Sequence, residues 1–456
     1  MKKNAKALNS TLADAAGADR KTRVCALLIL AAQALLMVLW AFTPLAAEKA
    51  LPAFGIPLAF AFAGLALASC KRRPPLVYWM GAAAVAWYAL SRAWLGDLYL
   101  RQSSLYFART AVNYLVALPF AFALGDGVRR RGLDVAAAIY ALGLFGLALA
   151  GVLCTLLNLH LYLPVFSTEI SFMGGRLCAG QHPNGSAMLF QIGMLFTLYL
   201  MFRYPRWWTR VLGAVMLCTF YMGIAFTVSR TVMVECALTA AALAFSVVLR
   251  LKRPSHMALR ACAAVAVAVV VLVACYAGLE GCISWQAGFS SHAEEAAARE
   301  EAPVAISHRS LLRDMSTLTG RTDIYKAVLR YVGLHPDTLA AGMLEHDIVT
   351  NLRAEVYPEF VLSHNAWLQA LLTTGLPGLL LGLYFTWVTL RLGVRGLLLR
   401  QAQTGFADKV ILLLPLLLVI NCVTECVLFA EQFSVGNFAY LLCLGYALER
   451  DAALDA

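Results

Sequence analysis

Long apolar runs, broken by charged residues, prolines or paired glycines, recur along the whole chain. They fall at approximately 24–43, 51–69, 76–95, 108–124, 135–157, 185–202, 211–228, 232–249, 261–279, 366–390, 410–428 and 433–448. Each approaches the roughly 20 apolar residues that a helix needs to cross the hydrocarbon layer of a bilayer. The pattern predicts twelve transmembrane helices and an all-α polytopic membrane protein. The widest gap between runs, about residues 280–363, predicts one large connection between spans nine and ten. Ala46-Ala47, after the first run, loosely resembles a leader cleavage site, but eleven further runs favour an uncleaved first helix.

Composition supports this class: 61% of the 456 residues are apolar and 14% charged, against about 25% charged in an average soluble domain. An ordinary water-soluble enzyme is excluded. The net charge of +11 raises the question of nucleic acid, and sorting the cations by side of the membrane answers it. With the N-terminus inside, 24 of the 37 Lys and Arg fall on cytoplasmic segments, including Lys71-Arg72-Arg73 and Arg129-Arg130-Arg131. Of the other 13, seven lie in the long connection, a kind of segment that translocates largely regardless of charge. The excess is a topological signal and implies no nucleic-acid partner.

The expected organisation is therefore a cytoplasmic segment 1–23, spans one to nine over 24–279, an extracytoplasmic, partly helical loop 280–363, an interfacial helix with spans ten to twelve over 364–448, and a cytoplasmic tail 449–456. Seven of eight histidines (His160, His182, His292, His308, His335, His346 and His364) fall outside. The titratable equipment faces away from the cytoplasm.

Two outer segments are more than connectors. Residues 158–184 end in a run of turn formers, Gly174-Gly175-Arg176-Leu177-Cys178-Ala179-Gly180-Gln181-His182-Pro183-Asn184, leading into the sixth span. The large loop opens with an Ala/Glu-rich stretch, 293–302, read as a solvated helix or arm. It continues with a helical pattern from Arg321 whose apolar stripe is Ile324, Val328, Tyr331 and Val332, with Asp323 in the first turn. The loop closes on Ser363-His364-Asn365. An interfacial helix follows, expected to kink at Gly375 and Pro377.

No Walker A loop, dinucleotide fingerprint or Asp-x-Asp pair is present. An outward-facing enzyme of this composition must use a substrate that arrives activated. Arg230, in the tight turn Ser229-Arg230-Thr231, reads equally as a cation snorkelling to the headgroups or as a functional group. Glu235 is about 140° further round the same helix and is no natural partner for it. Glu425, placed inside the eleventh run near its outer end, requires a cation or donor, with Arg230 or another outer arginine as candidates. Arg176, Arg230 and Arg321 are permanently charged forks suited to the oxygens of a polyprenyl diphosphate. His364 is a side chain able to take a proton from a sugar hydroxyl. Cys178 and Cys282 are placed in outer loops and read as unpaired thiols or, in an oxidising compartment, as a disulfide, while Cys422 and Cys426, one helical turn apart, read as packing. No metal site and no cofactor is indicated.

The set Ser229-Arg230-Thr231, Gly320-Arg321 with its helix ending at His335-Pro336, and His364-Asn365 followed by Leu368, Leu371, Gly375 and Gly378 resembles the bacterial O-antigen ligase and O-antigen polymerase superfamily. Arg176, Gly180 and Pro183-Asn184 look like an earlier segment of that family. Twelve spans with the large loop between the ninth and tenth are similar to the ligase layout. One departure stands out: of a Gly-x-Gly-like turn expected after His335-Pro336, only Gly342 is kept. The resemblance implies metal-independent, inverting glycosyl transfer outside the plasma membrane, from an undecaprenyl-diphosphate-linked glycan to a glycan or lipid-linked acceptor. It implies His364 as general base, Arg230 and Arg321 as ligands of the diphosphate, and Arg176, Asn184 and Asn365 as substrate-binding residues. The rival from another class is a non-catalytic glycolipid transporter or flippase. That rival predicts internal repeats and polar residues at mid-membrane, whereas this chain shows no repeat between halves and its polar residues gather at the outer surface.

Overall fold

The computed structural model describes residues 20–42, 51–69, 74–96, 107, 109–123, 125–157, 159–163, 168–173, 175–250, 257–289, 321–400, 403–426, 428–429 and 434–455. The Ala/Glu-rich stretch 293–302 and Gly320 lie outside them. Seven helices among the described residues are long and apolar enough to cross a membrane: Thr22–Leu39, Val128–Leu157, Pro183–Arg203, Trp207–Thr227, Arg230–Leu249, Arg260–Gln286 and Ala366–Leu399. They belong to α1 (Arg20–Phe42), α5 (Gly125–Leu157), α6 (Pro183–Arg203), α7 (Trp207–Thr227), α8 (Arg230–Arg250), α9 (Met257–Phe289) and α13 (Ala366–Gly393). The other five apolar runs also fold as helices: α2 (Ile56–Ser69), α3 (Leu76–Trp94), α4 (Leu118–Ala123), α14 (Phe406–Asn421) and α15 (Ser434–Asp455).

Burial along these helices follows the logic of a bilayer. The α6 span is the most enclosed of the seven and packs against α5, α7 and α14. The α9 span is the least enclosed; it lies along α8 and exposes Val265, Val269, Val270 and Val273. A valine face of this kind is stable against acyl chains, where no water is present to penalise it. Inside the helices, Thr197, Thr219, Thr239 and Thr389 return their hydroxyls to carbonyls one turn earlier, so these polar groups are satisfied without leaving the helix.

Three features depart from the sequence expectations. The expected all-α chain contains a three-stranded antiparallel sheet, β1 (Leu161–Leu163), β2 (Thr168–Met173) and β3 (Arg176–Ala179), in the order β1-β2-β3. Its signal is the alternation Thr168, Glu169, Ile170, Ser171, Phe172, with Ile170 fully buried opposite Ala179. The ninth apolar run continues helically to Phe289, so Cys282 lies on α9 and not in a loop; it and Cys178 are both free thiols. The eleventh run stops being helical after Asn421, which places Glu425 in the following turn and not within the helix.

The end of the molecule that bears this turn also carries a small helical subdomain: α10 (Arg321–Leu334), α11 (Thr338–Ala341) and α12 (Glu345–Glu355). Its own core of Val328, Tyr331, Val332, Met343, Ile348, Leu352 and Phe360 closes over Leu371 and Leu372 of α13, using three of the four stripe residues directly and Ile324 at the edge. Gly375 breaks α13 at φ 72°, where glycine alone is unstrained. Gly342, at φ 76°, packs against this break: a Cβ on Gly342 would come within 2.4 Å of the Thr373 carbonyl carbon, and one on Gly375 within 2.7 Å of the Leu339 oxygen. The two glycines thus sit back to back and let α11 rest on the broken helix. Arg92 of α3, almost fully buried, donates to the carbonyls of Met343 and Thr373, and Trp87 donates to Thr374 O at 2.8 Å. These bonds satisfy carbonyls that the break would otherwise orphan.

Candidate functional site

The site forms where three chain segments far apart in sequence converge on the Glu425 carboxylate. Arg321, first residue of α10, places Nη2 at 2.6 Å from Oε1. Asn184, in the first turn of α6, donates Nδ2 to the same oxygen at 2.7 Å. His364 Nδ1 lies at 3.3 Å from Oε2. Arg176, at the start of β3, donates Nη2 to Asn184 Oδ1 at 2.7 Å and Nε to Thr227 O at 2.9 Å. The Glu425 and Arg321 side chains are each 15% exposed and His364 32%, so the pair is shielded while the imidazole keeps an open face.

Local folding explains each placement. The sheet brings Arg176 to the mouth of α6 through turns at Gly175 and Gly180, both at positive φ. His182 Nδ1 accepts from Asn184 N at 3.4 Å and caps α6. Arg230 opens α8 directly after a turn in which Val228 takes φ 52°. His364 itself is held at φ 50°, an unusual backbone for a non-glycine residue. Tyr325, one turn after Arg321, holds it there: its hydroxyl lies at 3.0 Å from His364 O and 2.5 Å from Val423 O, joining α10 to the segments that carry His364 and Glu425. Ser363 Oγ bonds Asn365 O at 2.9 Å and lies at 3.2 Å from Cys426 Sγ.

Electrostatics follow from the geometry. Burial alone would raise the Glu425 pKa, but the His364 hydrogen bond, the Arg321 charge and the Asn184 bond outweigh it and hold the acid below the usual carboxylate range. Burial lowers the pKa of Arg176, with Cys178 and Glu425 opposing and Arg230 and Arg321 pressing the same way. Arginine stays charged throughout. The same interactions place the Arg230 and Arg321 guanidinium groups within electrostatic reach of Arg176. Burial and then Arg176 lower the pKa of His182, in keeping with its ring nitrogen accepting a bond as the helix cap.

All six residues singled out from sequence lie at this end of the molecule, in unequal positions. Arg321, Asn184 and His364 touch Glu425, Arg176 reaches it through Asn184, and Arg230 is coupled by charge to Arg176. Asn365 is engaged with the backbone. Its Oδ1 caps α13, accepting from Trp367 N at 3.1 Å and Leu368 N at 3.0 Å, and its Nδ2 faces Val423 O at 3.4 Å. Asn184 is likewise committed to bridging Arg176 and Glu425. Sequence reasoning did not assign Glu425 to the site; its one signal was an acid in an apolar run. Tyr325 carried no signal beyond its place in the helix.

Residues 214–383, which contain Arg230, Arg321 and His364, match the family described as O-antigen ligase. Over that stretch the chain is similar to this family, as its motifs suggested, and the described residues form a predominantly helical architecture with seven helices long and apolar enough to cross a membrane. No curated protein matches the chain significantly.

Proposed function

We propose that this protein transfers a lipid-linked glycan to an acceptor hydroxyl on the outer face of a bacterial plasma membrane, in the manner of O-antigen ligases and polymerases. The observation that carries the reading is the single carboxylate, Glu425, holding an imidazole and a guanidinium side by side. With Glu425 ionised, His364 Nδ1 carries its proton toward the carboxylate and Nε2 presents a lone pair. His364 takes the acceptor hydroxyl's proton, the acceptor oxygen bonds to the anomeric carbon, and the bond from that carbon to the diphosphate oxygen breaks with its electron pair. Attack opposite the leaving group inverts the anomeric centre. Arg321, Arg230 and Arg176 stabilise the charge that develops on the undecaprenyl diphosphate; fixed guanidiniums in a shielded site act more strongly than they would in water. No metal enters this scheme.

The cytoplasmic placement of both termini rests on the distribution of Lys and Arg. The opposite helix ends support it, since Arg129 pairs there with Glu449 at 3.1 Å, and Arg395 and Arg400 with Asp451 at 2.7 and 2.9 Å. The test is gel analysis of surface glycan in a deletion strain complemented with wild type or His364→Ala. Wild type restores normal glycan and the variant leaves lipid-linked donor unconsumed at equal protein level. A single repeat unit stranded on its carrier marks a polymerase, and full-length chains stranded there mark a ligase. Normal glycan from His364→Ala removes that residue from the mechanism.

A further inference from the structure

A second polar pocket lies beyond the α13 break, away from the glutamate-centred site. It is a cavity of about 50 Å³ bounded by α3, the residues leading into α4, α13 and the start of α15, with Arg109, Asn113 and Asn437 among its polar lining and Trp87, Tyr114 and Phe429 among its rings. That space exceeds the roughly 10–15 Å³ minimum for one water and suits the hydroxyl edge of a single group more than a whole glycan. Arg109, Asn113 and Asn437 are all nearly fully buried, at 5%, 3% and 7% exposure. Among the described residues Asn113 Oδ1 has no hydrogen-bond partner, which in an apolar environment is costly for an amide.

The mixture of groups defines the chemistry that fits. A guanidinium alone would suit a bare phosphate, but the buried acceptor of Asn113 would face anion oxygens with nothing to receive. Hydroxyl groups both donate and accept, so they match an amide oxygen, amide nitrogens and a guanidinium at once, while aromatic faces pack against the carbons that carry them. The helices α3 and α13, which contribute to the cavity wall, also expose Leu90, Leu380 and Leu383, side chains suited to acyl chains. We infer that this cleft binds the hydroxylated headgroup of a membrane lipid. Phe429 gives the cleft a link to the first site: it stands four residues after Glu425, at φ 62°, seated against Gly382 and against the Tyr440 ring at 6.1 Å. The headgroup is either the glycerol of a bilayer phospholipid or the sugar of a lipid-linked glycan, two sources sharing one chemistry.

Native mass spectrometry of the full-length protein, released from micelles doped with one probe at a time, tests this. The probes are phosphatidylglycerol, a short-chain polyprenyl-diphosphate-linked monosaccharide, and phosphatidylcholine, whose headgroup has no hydroxyl. Retention of either hydroxylated probe over phosphatidylcholine, weakened at least tenfold in Asn113→Leu/Asn437→Leu, supports the site, and the probe retained identifies the source. Equal retention of phosphatidylcholine, or unchanged retention in the double variant, overturns it. If the double variant does not fold, hydrogen exchange on the wild type decides. The retained probe slows exchange at 109–123 and 434–440 if the inference holds, and the absence of protection there refutes it.

Discussion

Replacing Glu425 by glutamine keeps the side chain's shape and removes its charge, so it isolates what the carboxylate does. The group accepts from Arg321 at 2.6 Å and Asn184 at 2.7 Å and faces His364 at 3.3 Å, at 15% exposure. A hydrogen bond to a charged group contributes about 1.5–3 kcal/mol. The bond that bears on chemistry is the longest, to His364, so the low end applies there; about 1.5–2.5 kcal/mol of transition-state stabilisation corresponds to about 10- to 70-fold in rate. Glu425→Ala also strands the Arg321 charge in a mostly buried position, and breaking such a pair costs about 3–5 kcal/mol, discounted here because the pair retains some solvent contact. The assay is single-turnover transfer from a short-chain lipid-linked donor by purified protein in detergent, with thermal unfolding measured in parallel. Glu425→Gln is expected to lower the transfer rate with donor affinity little changed, and Glu425→Ala to lower both rate and stability. A Glu425→Gln enzyme transferring at the wild-type rate would falsify the carboxylate's role in orienting the imidazole.

Further expectations follow from the same geometry. Because the folded-state pKa of Glu425 is depressed, its stabilisation is complete above the ordinary glutamate range and lost only as pH falls through the lowered value; the stability gap between wild type and Glu425→Gln should be widest at neutral pH and close in strong acid, as thermal scans at several pH values will show. Tyr325→Phe removes the hydroxyl shared by His364 O and Val423 O and should cut kcat about 5- to 30-fold, by about 1–2 kcal/mol, with KM nearly constant; a purely structural tyrosine would instead lower Tm without separating kcat from KM. Arg321→Lys should be severely impaired in complementation although the charge is kept, since a point charge does not reproduce the fork. Gly375→Ala, with its Cβ directed at the Leu339 carbonyl from a positive φ, should destabilise by at least about 1–3 kcal/mol, read as a lowered Tm. Reporter fusions after residues 72, 130, 252 and 400 should signal cytoplasm and one near 300 the outside; a cytoplasmic signal near 300 would overturn the outward placement of the site.

Periodicity made the helices legible because each apolar run is a local property, readable without knowing its neighbours. The stripe of α10 and the kink at Gly375 were legible for the same reason. The sheet at 161–179 escaped because its alternation is short and embedded among turn formers, so the turns dominated the reading. The site was legible only in part: arginine and histidine announce themselves by residue type, but their common partner does not. Glu425 looked like an intramembrane acid because the apolar run continues past Asn421, and only the end of α14 shows that it belongs to a turn. Glu235 is a similar case. Its partner is Asn421, 186 residues away, with Nδ2 at 3.1 Å from Oε2, a pairing that no local pattern encodes.

The convergence on Glu425 also has a bearing on biosynthesis. Chains are made from the N-terminus, and the residues this carboxylate gathers, Arg176, Asn184, Arg321 and His364, all precede it. A ribosome-bound chain lacking the turn after α14 therefore already holds these guanidiniums and this imidazole but not the anion that sets them in order. In the proposed glycan transfer, insertion of the last helices completes the site, so an unfinished or C-terminally truncated chain is expected to occupy the membrane without consuming lipid-linked donor.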